Sequence, residues 1–289
     1  MTRPCVAVHL PLEPFFGKQR AAFRKEFTVK IGLIGNGAIA KLVTRFCKER
    51  SDRFTVVGAL GLPEDKVSVG THPVVQTWPA FRALAPDLVV ECAGHGAVRA
   101  YGTLVLDAGI DLIIVSTGSL ADADLWRDLK AAAERSTAQL KLPAGALPGV
   151  DALSAGKLAG LTKVTLRSSK PPKAWSGTPA EKTHDLAAIT KPTVIFSGNA
   201  REAASTFPKN ANVAATAALA GLGFEDTTVT LVADPGVTQN VHHLEAEGAF
   251  GKLILEINAN PSPDNPKTSH MAALSIMRML DNEATSIVI

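Results

Sequence analysis

The feature that most constrains this chain is an alternation. Between Val29 and about Pro143, short apolar segments rich in Val and Ile take turns with helical stretches. The strand candidates are Val29–Ile34, Phe54–Leu60, Leu88–Cys92, Asp111–Ser116 and Gln139–Leu142. Helical runs near Ile39–Arg50, Pro79–Leu84, Ala97–Asp107 and Ala121–Arg135 separate them. Strands that lack polar alternation are buried on both faces, as parallel strands are. The order strand–helix–strand predicts a doubly wound parallel sheet, an N-terminal α/β Rossmann domain over residues 28–145.

Beyond Pro143 the texture changes. Pro, Gly and Ser become dense in KLPAGALPGVD and RSSKPPKAWSGTPAEK. The strands become longer and alternate in polarity, at Leu161–Ser169, Thr227–Ala233 and a hairpin from Val241 to Asn258 turning near Gly248–Gly251. Alanine-rich helices, Asn199–Thr206 and Asn212–Leu222, interrupt them. This pattern predicts an α+β domain with a mostly antiparallel sheet over residues 146–265, serving substrate binding and dimerisation. Residues 266–289 read as a helix from about Ser269 and a short strand, Thr285–Ile289, packing back on the first domain. Residues 1–27 form an extension expected to be peripheral.

Composition narrows the function classes. The 289 residues suffice for two domains. A single tyrosine argues against a base-stacking surface for nucleic acid. The net charge of +3 is uneven, because residues 1–30 carry +4 and the rest −1, so no polyanionic partner is implied. Cys5, Cys47 and Cys92 are widely spaced, which fits a reducing compartment and no metal site. No apolar run approaches the roughly 18–20 residues of a membrane span, and the proline-broken leader lacks the pattern of a secretory signal. A cytoplasmic protein is expected.

Gly35-Asn36-Gly37-Ala38-Ile39-Ala40 carries the clearest chemistry. It follows a strand and opens a helix, the context a dinucleotide-binding turn requires. Gly35 permits the turn, Gly37 lets backbone N–H groups approach a pyrophosphate, and Ala40 allows close helix–strand packing. The same glycines could make an ordinary turn, but the context favours NAD or NADP. An acid that would hold the ribose is missing from the tip of the second strand, where Glu64, Asp65 and Lys66 come late, so the sequence does not choose between the two cofactors. Ala93 and Gly94, and Ser116 and Thr117, lie after later strands and are further cofactor candidates.

His242 and His243 start a strand after the loop DPGVTQN. Alternation puts His243, Glu245 and Glu247 on a wet face and His242, Leu244 and Ala246 on the other. Spacing alone leaves His242 open as a catalytic residue or a packed core histidine. His9, His72, His184 and His270 have no clustered partner, and no metal-ligand spacing, P-loop or nucleophile elbow is present.

Several separated stretches resemble the L-aspartate dehydrogenase family: GNGAIA, ECAGHGAV, VSTGSLAD, LPAGALPGVDAL, SSKPPKAW, FPKNANVAATAALA, DPGVTQNVHHLEAEGAFG and NPKTS. The resemblance runs from about Lys30 to the C-terminus. It implies NAD- or NADP-dependent oxidation of L-aspartate to iminoaspartate, released as oxaloacetate and ammonia, feeding NAD biosynthesis. It implies that His242 is the active-site histidine and that Ala146 and Asn212 contact the cofactor. Leu147-Pro148 departs from the family's more flexible pair. The substrate's two carboxylates need cationic or N–H-rich partners. Lys170 is the first candidate, with Ser168, Ser169, Thr268 and Ser269 behind it. The alternatives are a two-domain reductase of the dihydrodipicolinate-reductase or homoserine-dehydrogenase type, and a nicotinamide-binding sensor without catalysis. A homodimer is expected, because a sheet face needs cover.

Overall fold

The computed structural model describes residues 28–61, 72–208, 211–262 and 265–288. Residues 1–27, with His9, and the acids Glu64 and Asp65 with Lys66 lie outside the described residues.

The first domain is a six-stranded parallel sheet in the order β3-β2-β1-β4-β5-β6. Its strands are β1 (Val29–Ile34), β2 (Phe54–Leu60), β3 (Val74–Val75), β4 (Leu88–Glu91), β5 (Asp111–Ile114) and β6 (Leu140–Lys141). Helices α1 (Ala38–Glu49), α2 (Trp78–Ala83), α3 (His95–Asp107) and α4 (Ala123–Ser136) connect them. The strand order reverses between β1 and β4, and ligands bind at such switch points in open α/β sheets. Ile31, Leu33, Val90 and Ile113 are fully buried, as the unbroken apolar runs require.

The second domain begins with α5 (Val150–Leu158) and β7 (Leu161–Lys170). It continues through β8 (Thr193–Asn199), α6 (Ala200–Thr206), α7 (Ala211–Ala220), β9 (Thr227–Ala233), β10 (Asn240–Gly248) and β11 (Gly251–Ala259). The sheet order is β11-β10-β7-β9-β8. It is mixed and mostly antiparallel, because β7 and β9 run parallel. That parallel pair, and β8 itself, were not expected from the sequence. A crossover through α6 and α7 makes the parallel pairing possible.

Helix α7 is buried almost all round, at Ala211, Ala214, Ala215, Ala217 and Ala218. Its small side chains let it pass between the second sheet and the 3-10 turn Thr117–Ala121 of the first domain. Arg201 donates to the Ala121 carbonyl across the same boundary.

The chain ends with a short ribbon, β12 (Pro261–Ser262) and β13 (Asn265–Ser269), followed by helix α8 (His270–Ala284). Helix α8 lies on the first domain. Ile276 and Leu280 are fully buried in the cluster that contains Ile31, Leu33 and Val43. Each contributes roughly 1.5–3 kcal/mol by burial. Arg53 pairs with Asp281 at 2.9 Å, and Lys141 pairs with Glu283 at 2.6 Å and Asp111 at 2.9 Å. The strand expected at Thr285–Ile289 is not formed by the described residues 285–288, which pair with no sheet edge. No helix among the described residues is long and apolar enough to cross a membrane.

Candidate active site

A cleft of about 200 Å³ opens where α8, the second sheet and the first domain meet. Eight residues singled out in the sequence line it: Ile39, Thr117, Ala146, Ser168, Lys170, Asn212, His242 and Ser269. Trp175 and Asn240 join them.

His242 is placed by strand register. Ser168, His242 and Ile257 stand in one cross-strand row of β7, β10 and β11. Val164, Leu166, Leu244 and Ala246 share the face and are buried. His242 is 3% exposed, and its Nδ1 lies 2.9 Å from Ser168 Oγ. With Nδ1 engaged, Nε2 is the ring nitrogen that can exchange a proton with a ligand in the cleft. Burial, then the nearby Lys170 ammonium, pushes His242 down to about 3. This differs from the near-neutral value that a general base at its ordinary pKa would have. The imidazole is neutral across the usable pH range, with a lone pair to offer.

Lys170 ends β7 on the same face. Burial pushes its ammonium down to about 8, and its Nζ lies 5.4 Å from the Trp175 ring centroid. An anion arriving here restores favourable surroundings to the charge. Ser169, expected to bind substrate, belongs to the opposite face of β7, opposite Val241. The serine that faces the cleft is Ser168. The side chain of Thr268 lies outside the described residues.

The cofactor side follows the glycine turn. Gly35 has φ +100°, and a Cβ there would come within 2.8 Å of Ala93, so only glycine fits. Gly37 is exposed at the start of α1, and a Cβ there would meet nothing within 4 Å. It caps α1 with no side-chain bond, and the first turn holds no acid. Unpaired helix N–H groups therefore face open space, which fits a pyrophosphate. Asn36 and Ala38 flank this opening.

Glu91 was not marked in the sequence as a site residue. It closes β4 and is 1% exposed. Its Oε1 accepts from the Ala93 and Gly94 amides, both at 2.8 Å, and from Ser116 Oγ at 3.0 Å. Its Oε2 accepts from the Ser116 amide at 3.1 Å. Burial raises its pKa, and these donors oppose the rise. One carboxylate thereby ties together the loops after β4 and β5. Ser116 serves that tie and is not on the cleft wall. The neighbouring Thr117 is, and its hydroxyl donates to the Asn212 carbonyl at 3.1 Å. Asn212 Oδ1 accepts from the Gly118 amide at 2.9 Å, so Asn212 joins the two domains as well as lining the cleft.

Two family models match the chain. Residues 35–143 match the family described as homoserine dehydrogenase, NAD binding domain. Residues 151–283 match the family described as aspartate dehydrogenase, C-terminal. An L-aspartate dehydrogenase of Ralstonia pickettii is 44% identical over 266 residues, covering 90% of this chain and 99% of its own length. The chain belongs to the aspartate dehydrogenase family. A family member from Acinetobacter baumannii is 48% identical over 71% of this chain and 78% of its own length. The crystal structure of the Thermotoga maritima aspartate dehydrogenase superposes with a TM-score of 0.73 at 28% identity, covering 91% of this chain and all of that one.

Proposed function

We propose that this aspartate dehydrogenase family member oxidises L-aspartate to iminoaspartate with NAD or NADP, and runs in reverse as reductive amination of oxaloacetate. The observation that carries the reading is convergence. The His242–Ser168 pair, Lys170 and the cofactor-side residues Ile39, Ala146 and Asn212 line one cleft. Gly35, Asn36, Gly37, Ala38 and Ile39, with Ala93, Gly94, Thr117, Ala146 and Asn212, would hold the dinucleotide, whose nicotinamide would supply the hydride chemistry.

The chain's own residues do the rest. A hydride can leave Cα only if the nitrogen lone pair pushes, so the substrate ammonium must first lose a proton. Neutral His242 accepts that proton at Nε2. A dicarboxylate bound in the cleft adds negative charge and raises the imidazole's proton affinity as the proton arrives. Lys170 receives a substrate carboxylate as a charge-assisted partner. Water then adds to the imine carbon, and ammonia leaves to give oxaloacetate.

The test is an NAD(P)H absorbance assay with L-aspartate, glutamate, homoserine, and oxaloacetate plus ammonia. Turnover should be fastest with aspartate and with oxaloacetate plus ammonia. Activity on homoserine alone would return the chain to the homoserine-dehydrogenase type, and cofactor binding without turnover on any of these would favour a sensor. The family resemblance extends the reading to NAD biosynthesis. The free thiols Cys47 and Cys92 support a cytoplasmic setting.

A homodimer belongs to the same reading. Helices α5, α6 and α7 cover one face of the second sheet. The other face carries the rows Thr165–Glu245–Ile254 and Arg167–His243–Glu256, with Ile254 55% exposed. A mixed-charge face with an exposed apolar residue on its edge strand suits a two-fold, self-complementary contact. Sedimentation should give twice the chain mass, and Ile254→Glu should shift it to the monomer. A monomeric wild-type chain at micromolar concentration removes the dimer.

A further inference from the structure

Three elements meet at Gly118, a buried glycine of the 3-10 turn Thr117–Ala121. A Cβ there would come within 2.6 Å of Ala211 Cβ, 2.9 Å of Asn212 Oδ1 and 3.0 Å of His95 Nε2. Ala211 and Asn212 open α7 of the second domain, and His95 opens α3 of the first. The missing side chain is what lets the three come this close. His95 directly follows Gly94, whose amide Glu91 holds at 2.8 Å, so the same tie that fixes the loop after β4 fixes the base of the histidine.

Hydrogen bonding at this junction decides which way the Asn212 amide points. The Gly118 N–H donates to Asn212 Oδ1 at 2.9 Å. A backbone N–H can only donate, so the side-chain oxygen must face the turn. The His95 ring is also hydrogen-bonded to the Asn212 side chain. Burial pushes the His95 pKa below its ordinary value, the Asn212 bond opposes that fall, and the nearby Arg99 guanidinium adds to it. At neutral pH the ring therefore carries a single N–H, and the bond to Oδ1 places it on Nε2. With Oδ1 engaged from two sides, Nδ2 is the end of the amide left for the cleft, whose wall includes Asn212. Turned this way the amide offers donors to a ligand. Turned over, it would offer an acceptor.

We propose that His95 is a positioning residue, which holds the Asn212 amide with Nδ2 toward the cleft so that its N–H groups donate to an oxygen of the bound dinucleotide. The inference rests on the dinucleotide reading of the cleft and adds to it a residue that does not line the cleft itself. His95 belongs to the first domain and Asn212 to the second, so the orientation of this donor depends on how the two domains meet. Without the imidazole, the Gly118 N–H alone would hold the oxygen, and the amide would be freer to turn.

The experiment is calorimetric titration with NADH of the wild type, His95→Ala, Asn212→Ala and the double variant, each with a thermal midpoint taken without ligand. His95→Ala should raise the Kd about threefold to tenfold, the loss of one neutral hydrogen bond. In the Asn212→Ala background the same change should move the Kd by less than about twofold, because no amide remains to orient. A merely structural role for His95 would give equal losses in both backgrounds. His95→Gln is the conservative variant. Its side-chain N–H groups reach about as far as Nε2 and should restore the Kd to within about twofold of wild type. The KM for NAD should follow the Kd, while the KM for aspartate stays within about twofold. Unchanged NADH affinity in folded His95→Ala overturns the proposal, as do equal losses in the two backgrounds or a His95→Gln chain as weak as His95→Ala. The binding readout needs no aspartate. Coupling between positions 95 and 212 in a chain that turns over no aspartate supports the positioning role and overturns the aspartate reading alone.

Discussion

Replacing His242 with alanine is expected to lower kcat by roughly 10²–10⁴, the usual contribution of a positioned acid–base group. The substitution also has a structural cost. His242 is buried and partnered, so its loss leaves Ser168 Oγ without a bond, at about 1–3 kcal/mol. A lower melting temperature therefore does not distinguish catalysis from packing, and kcat of the folded fraction does. His243→Ala is the control from the same strand. His243 faces the other way, 3.1 Å from Glu245 and 3.3 Å from Glu256, and its removal should leave kcat within a few-fold. The pH response gives an independent reading. In the unfolded chain His242 takes up a proton near pH 6.5, whereas burial holds the folded imidazole neutral down to about 3. The unfolded state thus binds more protons in this window, and stability falls as pH drops below 6.5. His242→Ala removes this liability, which is worth about 1 kcal/mol at pH 5.5. A folded His242→Ala enzyme with near-normal turnover would sink the catalytic assignment.

The strand that carries His242 shows how far the sequence can be read. Alternation alone placed Leu244 and Ala246 in the core and Glu245 and Glu247 outside, and both are so placed. The same rule was available on β7. Val164 and Leu166 are apolar at alternate positions, so Ser168 and Lys170 had to share their face and Ser169 the other. The five-residue spacing of the glycine turn was equally legible, because a turn and a helix start are local. What escaped was long-range or irregular. The register of β8 shifts between Val194 and Phe196, which breaks the alternation that marks a strand. The parallel pairing of β7 with β9 depends on a crossover of many residues. Glu91 looks like any acid at a strand end, and its role appears only when three separate backbone amides converge on it. Ser269 could be named as a polar residue before a helix, but that its hydroxyl would be buried and make no cap is a matter of packing.

Gly37→Val should abolish tight NAD(P) binding while leaving the protein folded. Glycine at this position is not required by the backbone, whose φ of −84° suits any L-residue. Nor is it required by packing, since a Cβ would meet nothing within 4 Å. Gly35 is the contrast, with φ +100° and Ala93 against its missing side chain, so a substitution there strains the fold and says little about ligands. On the proposed reading this exposed turn leaves room for a pyrophosphate, which the uncapped start of α1 would receive through its unpaired N–H groups and its dipole. Valine fills the space with a branched apolar side chain and blocks those amides. The loss should exceed roughly tenfold in Kd, because several charge-assisted hydrogen bonds go together. Calorimetric titration with NAD, paired with a thermal midpoint in the absence of ligand, separates the two effects. An unchanged midpoint with weakened binding supports the pyrophosphate site. Unchanged NAD affinity in the folded variant would remove the dinucleotide from this turn, and with it the physical reason for an open glycine at the mouth of α1.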